Sequence, residues 1–498
     1  MKLNYKIIFH FFGLLLLFNG GFMLLAALLS FFYKDGVTFN LFLAGISVLA
    51  IGVLQMLFTK NHTKEMNKRE GYLVVAFGWI VMTLSGTLPY VFTGAIPNFS
   101  NAVFETISGY TTTGSTILND IESLPKGVLF WRSLTHWIGG MGIIVLAIAI
   151  LPLLGIGGMQ LFAAEAPGPS ADKLHPRITD TAKRLWLIYF GYTAVETLFL
   201  SLAGMSFFDA LNHSMSTLST GGFSTKNASI SHWNDRPMIQ YIITLFMFFA
   251  GANFVLSYFA FKGKISKVIQ DEEFKLYFKF IAIFTLIVFG IIYTNSYLNS
   301  ESVFEHPSVL GLGESSFRHA LFQVIAIVTT TGFVTADFTL WSPLLLVFFF
   351  GLMFSGGSAG STSGGVKVVR HLVLIKNGFL EFKRSLHPSA ILPVRYNSKS
   401  VSGEIVFNVL GFFILYMLSF IVGSLGFAFL GLDFESSVGV AASSLGNVGP
   451  ALGEFGPSNN FIHMPTAGKW WAAFLMLIGR LELFTILILF TPFFWRNR

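Results

Sequence analysis

The sequence contains no cysteine and few charged residues. Asp, Glu, Lys and Arg make up 11% of its 498 residues, whereas soluble domains carry about 25%. The lack of cysteine excludes disulfides, thiolate nucleophiles and thiolate metal sites, and it indicates nothing about the redox compartment. Hydrophobic residues make up 53% of the chain, with 57 Phe, and they form long apolar runs. This composition predicts an integral membrane protein of the helical type.

The formal net charge of +7 could suggest a nucleic-acid partner. The basic residues, however, concentrate in short loops between apolar segments, at 60–69, 155–183, 262–275 and 376–399. The connections on the other side are acidic, which is the positive-inside pattern. We therefore expect a multi-pass protein of the cell inner membrane, surrounded by lipids, with both termini cytoplasmic and no nucleic-acid partner.

Residues 1–70 contain two apolar segments, at about Ile7–Tyr33 and Phe39–Phe58. The first could be read as a signal peptide. It is longer than the 7–15 apolar residues of such a peptide and lacks a clear small-residue cleavage site, so we expect a retained helix. Both segments predict membrane-spanning helices that precede the repeated part of the chain.

A short Thr/Ser- and Gly-containing turn occurs four times. The copies are Tyr110–Thr116, Leu218–Thr225, Val328–Thr335 and the more divergent Ser443–Pro450. Aligned on Gly114, Gly222, Gly332 and Gly446, they recur at nearly equal intervals of about 110 residues, each between two apolar segments. One such turn could be a helix end with a C-cap glycine. Four at matching spacing indicate tandem repeats.

The repeats divide the chain into residues 71–183, 184–275, 276–400 and 401–498. Each contains an outer helix, a half-helix too short to span, the turn and an inner helix. We expect an all-α polytopic membrane protein with four tandem helix–pore-loop–helix repeats around a single pore, plus two extra N-terminal helices. The prediction is ten spanning helices and four half-helices.

The turns have the chemistry of an ion filter, because backbone carbonyls can replace an ion's hydration shell and glycine allows the required backbone directions. The half-helices would direct the negative ends of their dipoles at the pore, which favours a cation. Polar residues recur in two columns before the turns. We expect the first column to start the half-helices as N-caps: Asn101, Asp209, His319 and Asp433. The second column lies within the half-helices: Glu105, His213, Gln323 and Ser437. We expect Glu105 to bond backbone amides behind the filter rather than line the pore.

A run of small residues, Ser355–Gly365, interrupts the third inner helix. Each glycine costs a helix about 1 kcal/mol relative to alanine, so the run should unwind. A tight helix-packing surface is an alternative, and nucleotide binding is disfavoured because the Walker spacing is missing. We favour an intramembrane loop that gates the pore, formed by Gly356, Gly357, Ser358, Gly360, Gly364 and Gly365.

Arg480 lies within the last apolar segment. A charge at mid-membrane costs about 3 kcal/mol or more, so this side chain needs a partner or a cavity. Glu196 is one candidate partner in a salt bridge. We expect Arg480 to face the pore and to limit cation passage.

Several long motifs resemble the TrkH branch of the Trk/Ktr/HKT potassium transporter superfamily. They are Phe130–Gly142, Leu154–Leu161, Glu165–Pro169, Leu445–Pro450 and the Gly/Ser run, and the resemblance covers nearly the whole chain. It implies a homodimer, a gate formed by the Gly/Ser run with Arg480, and a separate cytosolic ring of nucleotide-binding regulatory subunits of the TrkA type. It also implies potassium binding by carbonyls at Thr112, Thr113, Gly114, Ser219, Thr220, Gly221, Gly222, Thr330, Thr331, Gly332, Leu445, Gly446, Asn447 and Val448. In plant relatives a serine at the position of Gly114 accompanies a preference for sodium, so the resemblance implies a preference for potassium here. The sequence departs from the family at Gly221, where many members have Val, and at Ser444, where Thr is common.

Two other functions are compatible with parts of the sequence. Proton- or sodium-coupled symport of potassium would need a titratable acid in the membrane, for which Glu196 or Glu482 could serve. A membrane enzyme or haem protein could use His136, His213 or His319, but no convergent His/Asp/Glu cluster accompanies them. We therefore expect potassium as the cargo, no organic cofactor and no enzymatic activity.

Overall fold

The computed structural model describes residues 3–60, 67–145, 178–299 and 310–496. In these ranges most of the chain is helical, and the only strands are one antiparallel pair of two residues each, β1 (Arg395–Tyr396) and β2 (Lys399–Ser400). The predicted end of the first inner helix, 146–154, lies outside the described residues. So do the motif segments 154–161 and 165–169 and the loop residues 61–66 and 155–177.

Two N-terminal helices, α1 (Tyr5–Tyr33) and α2 (Thr38–Phe58), pack against each other along their length. Glycines allow the close approach. A β-carbon on Gly20 would lie 2.9 Å from the carbonyl oxygen of Gly45, and one on Gly52 would lie 3.0 Å from that of Gly13. Small residues at helix crossings are the usual device for packing helices in a membrane. The two extra N-terminal helices are as the sequence predicts.

The four repeats follow in chain order. The first contains α3 (Lys68–Gly86), α4 (Leu88–Thr93), α5 (Phe99–Tyr110) and α6 (Lys126–Val145). The second contains α7 (Ile178–Leu202), α8 (Phe207–Leu218), α9 (Pro237–Gly251), α10 (Phe254–Phe261) and α11 (Ile265–Gln270). The third contains α12 (Glu272–Asn299), α13 (Leu312–Val328), α14 (Pro343–Leu352), α15 (Val368–Leu386) and the hairpin β1–β2. The fourth contains α16 (Gly403–Phe429), α17 (Phe434–Gly446), α18 (Thr466–Arg480), α19 (Phe484–Leu487) and α20 (Pro492–Trp495).

Among the described residues, six helices are long and apolar enough to cross a membrane, and two sharply bent pairs bring the number to eight. The other two predicted spans are the first inner helix, α6, which is described as far as Val145, and the third, which the Gly/Ser run breaks. Two predicted continuous helices are wrong. The second inner helix bends by 107° between α9 and α10, and the fourth bends by 110° after Arg480.

The half-helices α5, α8, α13 and α17 form the core, and most of their residues are buried. The predicted first residue is correct only for α17, whose N-cap is Asp433. The side chains of Asn98 and Ser206 cap α5 and α8 by accepting from the N–H of Asn101 and Asp209, three residues later. His319 lies inside α13, which begins at Leu312. Asn101 and Asp209 are polar residues in the first turn of their helices, three residues after the cap, whereas His319 is well inside its helix.

Candidate ion-binding ring and gate

The four turns that follow the half-helices α5, α8, α13 and α17, called the pore helices below, share one backbone conformation. Each turn has a non-glycine residue in the left-handed region of backbone conformation, which such residues adopt only rarely. These are Thr112, Thr220, Thr330 and Asn447, with φ of 52°, 55°, 55° and 54°. Two residues later each turn has a glycine with positive φ. These are Gly114, Gly222, Gly332 and Gly449, with φ of 88°, 80°, 74° and 106°.

One hydrogen bond recurs in every turn. The residue before each glycine donates its N–H to the carbonyl five residues earlier, at the end of the pore helix. The pairs are Thr113 to Ser108 (2.9 Å), Gly221 to Ser216 (2.8 Å), Thr331 to Ala326 (2.8 Å) and Val448 to Ser443 (2.9 Å). This bond folds the chain back on the helix end, so that all four turns leave their helices in the same direction.

The fourth turn is therefore centred on Gly449, and the sequence alignment on Gly446 is wrong by three residues. Gly446 is the last residue of α17. A β-carbon on Gly479 of α18 would lie 2.1 Å from the carbonyl oxygen of Leu445, so this carbonyl faces α18 instead of the other turns. The turn is Asn447-Val448-Gly449, where Asn447 takes the place of the threonine in the other copies. Because the fourth turn differs from the others in sequence, the match of Asn447 to these threonines is not visible in the sequence.

The turns form a closed ring. A β-carbon on Gly114 would lie 2.2 Å from the carbonyl oxygen of Gly221 in the second turn. A β-carbon on Gly222 would lie 2.0 Å from the carbonyl oxygen of Thr331 in the third turn. One on Gly332 would lie 2.0 Å from the carbonyl oxygen of Val448 in the fourth. Gly449 closes the ring against the carbonyl oxygen of Thr113, at 2.6 Å. Each glycine thus lies against the carbonyl of the next turn, where a side chain would not fit.

The ring concentrates backbone oxygens and helix dipoles. The pore helices α5, α8, α13 and α17 all end immediately before it, so their negative dipole ends converge there. Side chains tie the turns together, because Asn447 donates to the Thr113 hydroxyl (3.0 Å) and Ser115 donates to the Gly449 carbonyl (2.9 Å). Such an arrangement can bind a cation that has lost its water.

Glu105 lies behind the first turn and is fully buried. Its carboxylate accepts from the N–H of Ile117 (2.9 Å), from the Thr116 hydroxyl and from the Arg132 guanidinium (2.6 Å). Arg132 also donates to the carbonyl of Ser224 (2.8 Å). This buried ion pair therefore joins the chain after the first turn to the chain after the second.

Other repeats use neutral groups at the same position. Gln323 accepts from the N–H of Thr335 (3.2 Å), three residues after Gly332, as Glu105 accepts from Ile117, three residues after Gly114. His213 contacts the Ser224 hydroxyl (2.9 Å). Ser437 is the residue that the sequence predicts for this position in the fourth repeat. Its hydroxyl donates to the carbonyl of Leu432 (3.2 Å), away from the fourth turn.

Glycine stands at position 221, where many members of the family that the sequence resembles have valine, and the structure shows a steric reason for it. A β-carbon there would lie 2.3 Å from Nδ1 of His136, whose ring is fully buried. The His136 ring stacks on Phe223 with centroids 3.9 Å apart, and Phe223 in turn lies 3.6 Å from the Arg132 guanidinium carbon. An imidazole thus fills the space that a valine side chain would need. We find no structural reason for Ser444.

The Gly/Ser run is an irregular segment between α14 and α15, directly beneath the ring. The N–H of Gly364 donates to the Thr330 hydroxyl (2.7 Å) in the third turn, and the Thr362 hydroxyl donates to the carbonyl of Leu218 (2.9 Å) at the end of α8. A β-carbon on Gly364 would lie 2.5 Å from the carbonyl oxygen of Gly446. The loop thereby contacts three repeats at once.

Arg480 links this loop to the remaining repeat. It is buried, and it donates to the carbonyls of Thr362 (2.8 Å) and Gly139 (3.2 Å). Both bonds go to carbonyls. The alternative of a salt bridge with Glu196 is wrong, because the Glu196 oxygens have no hydrogen-bond partner among the described residues. Glu482 instead pairs with Arg370 of α15 at 2.6 Å.

Several glycines, not predicted from the sequence, allow the inner helices to lie close to the ends of the pore helices. A β-carbon on Gly139 would lie 2.0 Å from the carbonyl oxygen of Tyr110, one on Gly140 2.7 Å from Ser219, and one on Gly251 2.5 Å from Thr329. The Gly139-Gly140 pair and the Gly251-Ala252-Asn253 break are visible in the sequence and could have indicated close contacts.

The remaining histidine candidates lie apart. His319 contacts the Thr335 hydroxyl (2.8 Å) behind the third turn, whereas His136 and His213 lie near the second. Within the described ranges, no three His, Asp or Glu side chains are grouped to hold a metal ion.

Comparison with known proteins agrees with this architecture. Residues 37–497 match the family TrkH, described as "Cation transport protein". The sequence is 40% identical to the Trk system potassium uptake protein TrkH of Escherichia coli K12, over 99% of this chain and 100% of the relative. It is 39% identical to the protein of that name from Halomonas elongata, with the same coverage. The crystal structure of the potassium transporter TrkH from Vibrio parahaemolyticus matches with a TM-score of 0.88 and 36% identity, over 99% of this chain and 100% of that chain.

Proposed function

Because the chain belongs to the TrkH family of cation transport proteins, we propose that it takes up potassium through the ring of four turns. The observation that carries this proposal is the closed contact of each filter glycine with the carbonyl of the next turn. Four backbone turns around one axis offer oxygens to a dehydrated alkali ion, and the helix dipoles favour its positive charge.

The proposed filter consists of residues 112–114, 220–222, 330–332 and 447–449. Compared with the segment 445–448 that the resemblance implies, the fourth segment of this filter adds Gly449. It leaves out Leu445 and Gly446, whose carbonyls face α18 and the Gly/Ser loop. Ser219 ends the second pore helix as its C-cap. Glu105 would support the filter, because its carboxylate bonds the chain just after the first turn.

The proposed gate is the loop Gly356–Gly365 together with Arg480. Its support is the set of bonds from the loop to Thr330 and Leu218 and from Arg480 to Thr362 and Gly139. A loop held across the axis beneath a filter blocks ions, and a buried guanidinium repels them. Uptake would follow the membrane potential, which acts on each charge with about 2.3 kcal/mol per 100 mV.

The proposed setting is the cell inner membrane with both termini in the cytoplasm. We further propose that the chain acts as a homodimer with a separate nucleotide-binding ring, an inference that rests on the family and on the "Trk system" in its relatives' names. A described feature compatible with a protein contact is the stripe of exposed apolar side chains along α15: Ile375, Phe379, Phe382 and Leu386.

Coupled symport is a second candidate, favoured by one observation. Glu196 is fully buried in α7, and its carboxylate oxygens have no hydrogen-bond partner in the described part of the chain. A proton on this group would remove the cost of burying a charge. Symport would show as a proton or sodium current that accompanies potassium.

The test is flux of potassium, rubidium and sodium into proteoliposomes of the purified chain at a fixed voltage. We expect potassium and rubidium to enter, sodium to be disfavoured, and no proton current. Deletion of Ser358–Thr362 should raise potassium flux. Equal entry of sodium would contradict the filter, and unchanged flux after the deletion would contradict the gate.

A further inference from the structure

A carboxylate from the third outer helix holds the middle of the Gly/Ser loop. The N–H of Ala359 donates to Oε1 of Glu273 at 2.7 Å. Glu273 is in the first turn of α12 and is only 1% exposed. A hydrogen bond to a charged or buried group is costly to break when no water replaces it. The loop therefore cannot leave its position without losing this bond or moving Glu273 with it.

The start of α12 is itself clamped by the β1–β2 hairpin. Asn397 at the hairpin tip accepts from the N–H of Glu272 (3.0 Å), donates its own N–H to the Glu272 carboxylate (3.0 Å) and donates its side-chain amide to Asp271 (2.8 Å). Asn397 and Ser398 have φ of 47° and 66°, which is the two-residue turn that suits a tight hairpin. Lys376 of α15 bonds both the Glu272 carboxylate (2.7 Å) and the carbonyl of Arg395 (2.8 Å).

We propose that Glu273 is a positioning residue for the gate, and that the hairpin fixes its place. The inference rests on the proposed function, in which the loop obstructs the pore. A continuous set of bonds runs from the hairpin through residues 271–272 to Glu273 and Ala359. A displacement of the hairpin from the basic, predicted cytoplasmic face would therefore withdraw the carboxylate and release the loop.

The absence of cysteine from the chain gives a direct reporter of loop position. In a Ser358→Cys background the new thiol is unique. Ser358 is 1% exposed, and its hydroxyl has no hydrogen-bond partner within the described residues, so the substitution removes no observed side-chain bond. The measurements are the rate of labelling by a small water-soluble thiol reagent and the potassium flux in proteoliposomes, each with Glu273→Ala, Glu273→Gln and Glu404→Ala.

Glu273→Ala should raise both labelling and flux by about tenfold, the factor expected when one buried hydrogen bond is lost. Glu273→Gln should stay near the parent, because its amide oxygen can still accept from Ala359. Glu404→Ala is the matched control, since this exposed glutamate lies in the first turn of the fourth outer helix. The potassium-to-sodium ratio should not change, whereas general damage to the fold would alter it.

The outcomes separate the two proposals. Faster labelling without higher flux would support the role of Glu273 but contradict the loop as a gate. Unchanged labelling in Glu273→Ala would overturn the role of Glu273, even if the loop deletion still raised flux. Asn397→Gly tests the hairpin, because glycine keeps the turn and loses the side-chain bonds. It should raise labelling more than Ser398→Gly, and equal rates in the two variants would overturn the hairpin's part.

Discussion

The filter ring and the layer directly beneath it are built on opposite plans. In the ring, all four turns have a residue with left-handed backbone conformation at the same position, and they repeat the same hydrogen bond and the same glycine contact. In the layer beneath, every inner helix differs. The first, α6, runs unbroken through Gly139 to Val145, the second bends at Asn253, the third opens into the Gly/Ser loop and the fourth bends after Arg480.

The difference fits the proposed division of labour, in which the ring is the filter and the layer beneath it is the gate. An ion on the axis needs oxygens on all sides, so every repeat must supply the same backbone geometry. Blocking a single pore needs only one obstruction, so in the proposed gate one loop and one arginine would be enough. Repeats that share an origin can therefore keep the ring alike and diverge below it.

The largest expected effect concerns the buried support of the ring. Glu105→Ala leaves Arg132 buried without its carboxylate, and breaking a buried ion pair costs about 3–5 kcal/mol. Gln323→Ala removes a neutral acceptor at the matching position and should cost about 1–3 kcal/mol. The comparison is the shift in unfolding temperature of the two variants in detergent. Equal shifts would mean that the pair with Arg132 adds nothing to the support.

The next effect tests the register of the fourth turn. Gly449→Ala puts a methyl group 2.6 Å from the Thr113 carbonyl oxygen, in a backbone with φ of 106°. We expect potassium flux to fall by about a hundredfold and selectivity over sodium to be lost, because the oxygens can no longer match the ion.

Gly446→Ala is the matched control for this prediction. Its methyl group would lie 2.8 Å from the carbonyl oxygen of Met353, in the layer below the ring. It should alter flux but keep the potassium-to-sodium ratio. Loss of selectivity in Gly446→Ala alone would restore the original alignment of the fourth turn.

The third effect tests whether the His136 ring is the reason for glycine at position 221. Gly221→Val would place its side chain in the His136 ring, and overpacking of this kind costs about 1–3 kcal/mol. We expect lower thermal stability and lower flux. His136→Ala in the same chain should recover part of both, because it opens the space that valine needs. A double variant no better than Gly221→Val would show that another contact is responsible.

The smallest effect concerns the single arginine of the lower layer. Arg480→Gln removes a buried positive charge but leaves a side chain that can still donate to the Thr362 carbonyl. We expect potassium flux to rise by about tenfold, or ~1.4 kcal/mol in barrier height, with selectivity unchanged. Lower flux with an unchanged unfolding temperature would contradict a limiting role for Arg480.

The sequence predicts the ring better than the layer beneath it, for a physical reason. The repeated turns need particular residues, so Gly114, Gly222 and Gly332 are visible as a pattern. The position of the fourth turn could not be predicted from this pattern, because Asn447 adopts the left-handed conformation that threonine has in the other turns. All-α topology, the N-terminal pair and the TrkH family are confirmed.

The lower layer depends on contacts between distant residues, which no local pattern reveals. Arg480 as a buried charge suggested a carboxylate partner, but carbonyls of Thr362 and Gly139 satisfy it. The bends at Asn253 and Glu482 occur in apolar segments that are long enough to be continuous helices. Glu482 and Leu483 have φ of 53° and 51°, a conformation that their side chains do not predict.

The most direct test of the account is the position of a bound ion. Crystals of the purified chain grown in rubidium would show it by its anomalous scattering. The account predicts a peak on the axis of the ring, coordinated by carbonyls of the turns 112–114, 220–222, 330–332 and 447–449, and its loss in Gly449→Ala. Rubidium bound elsewhere in the chain, with no peak within the ring, would contradict it.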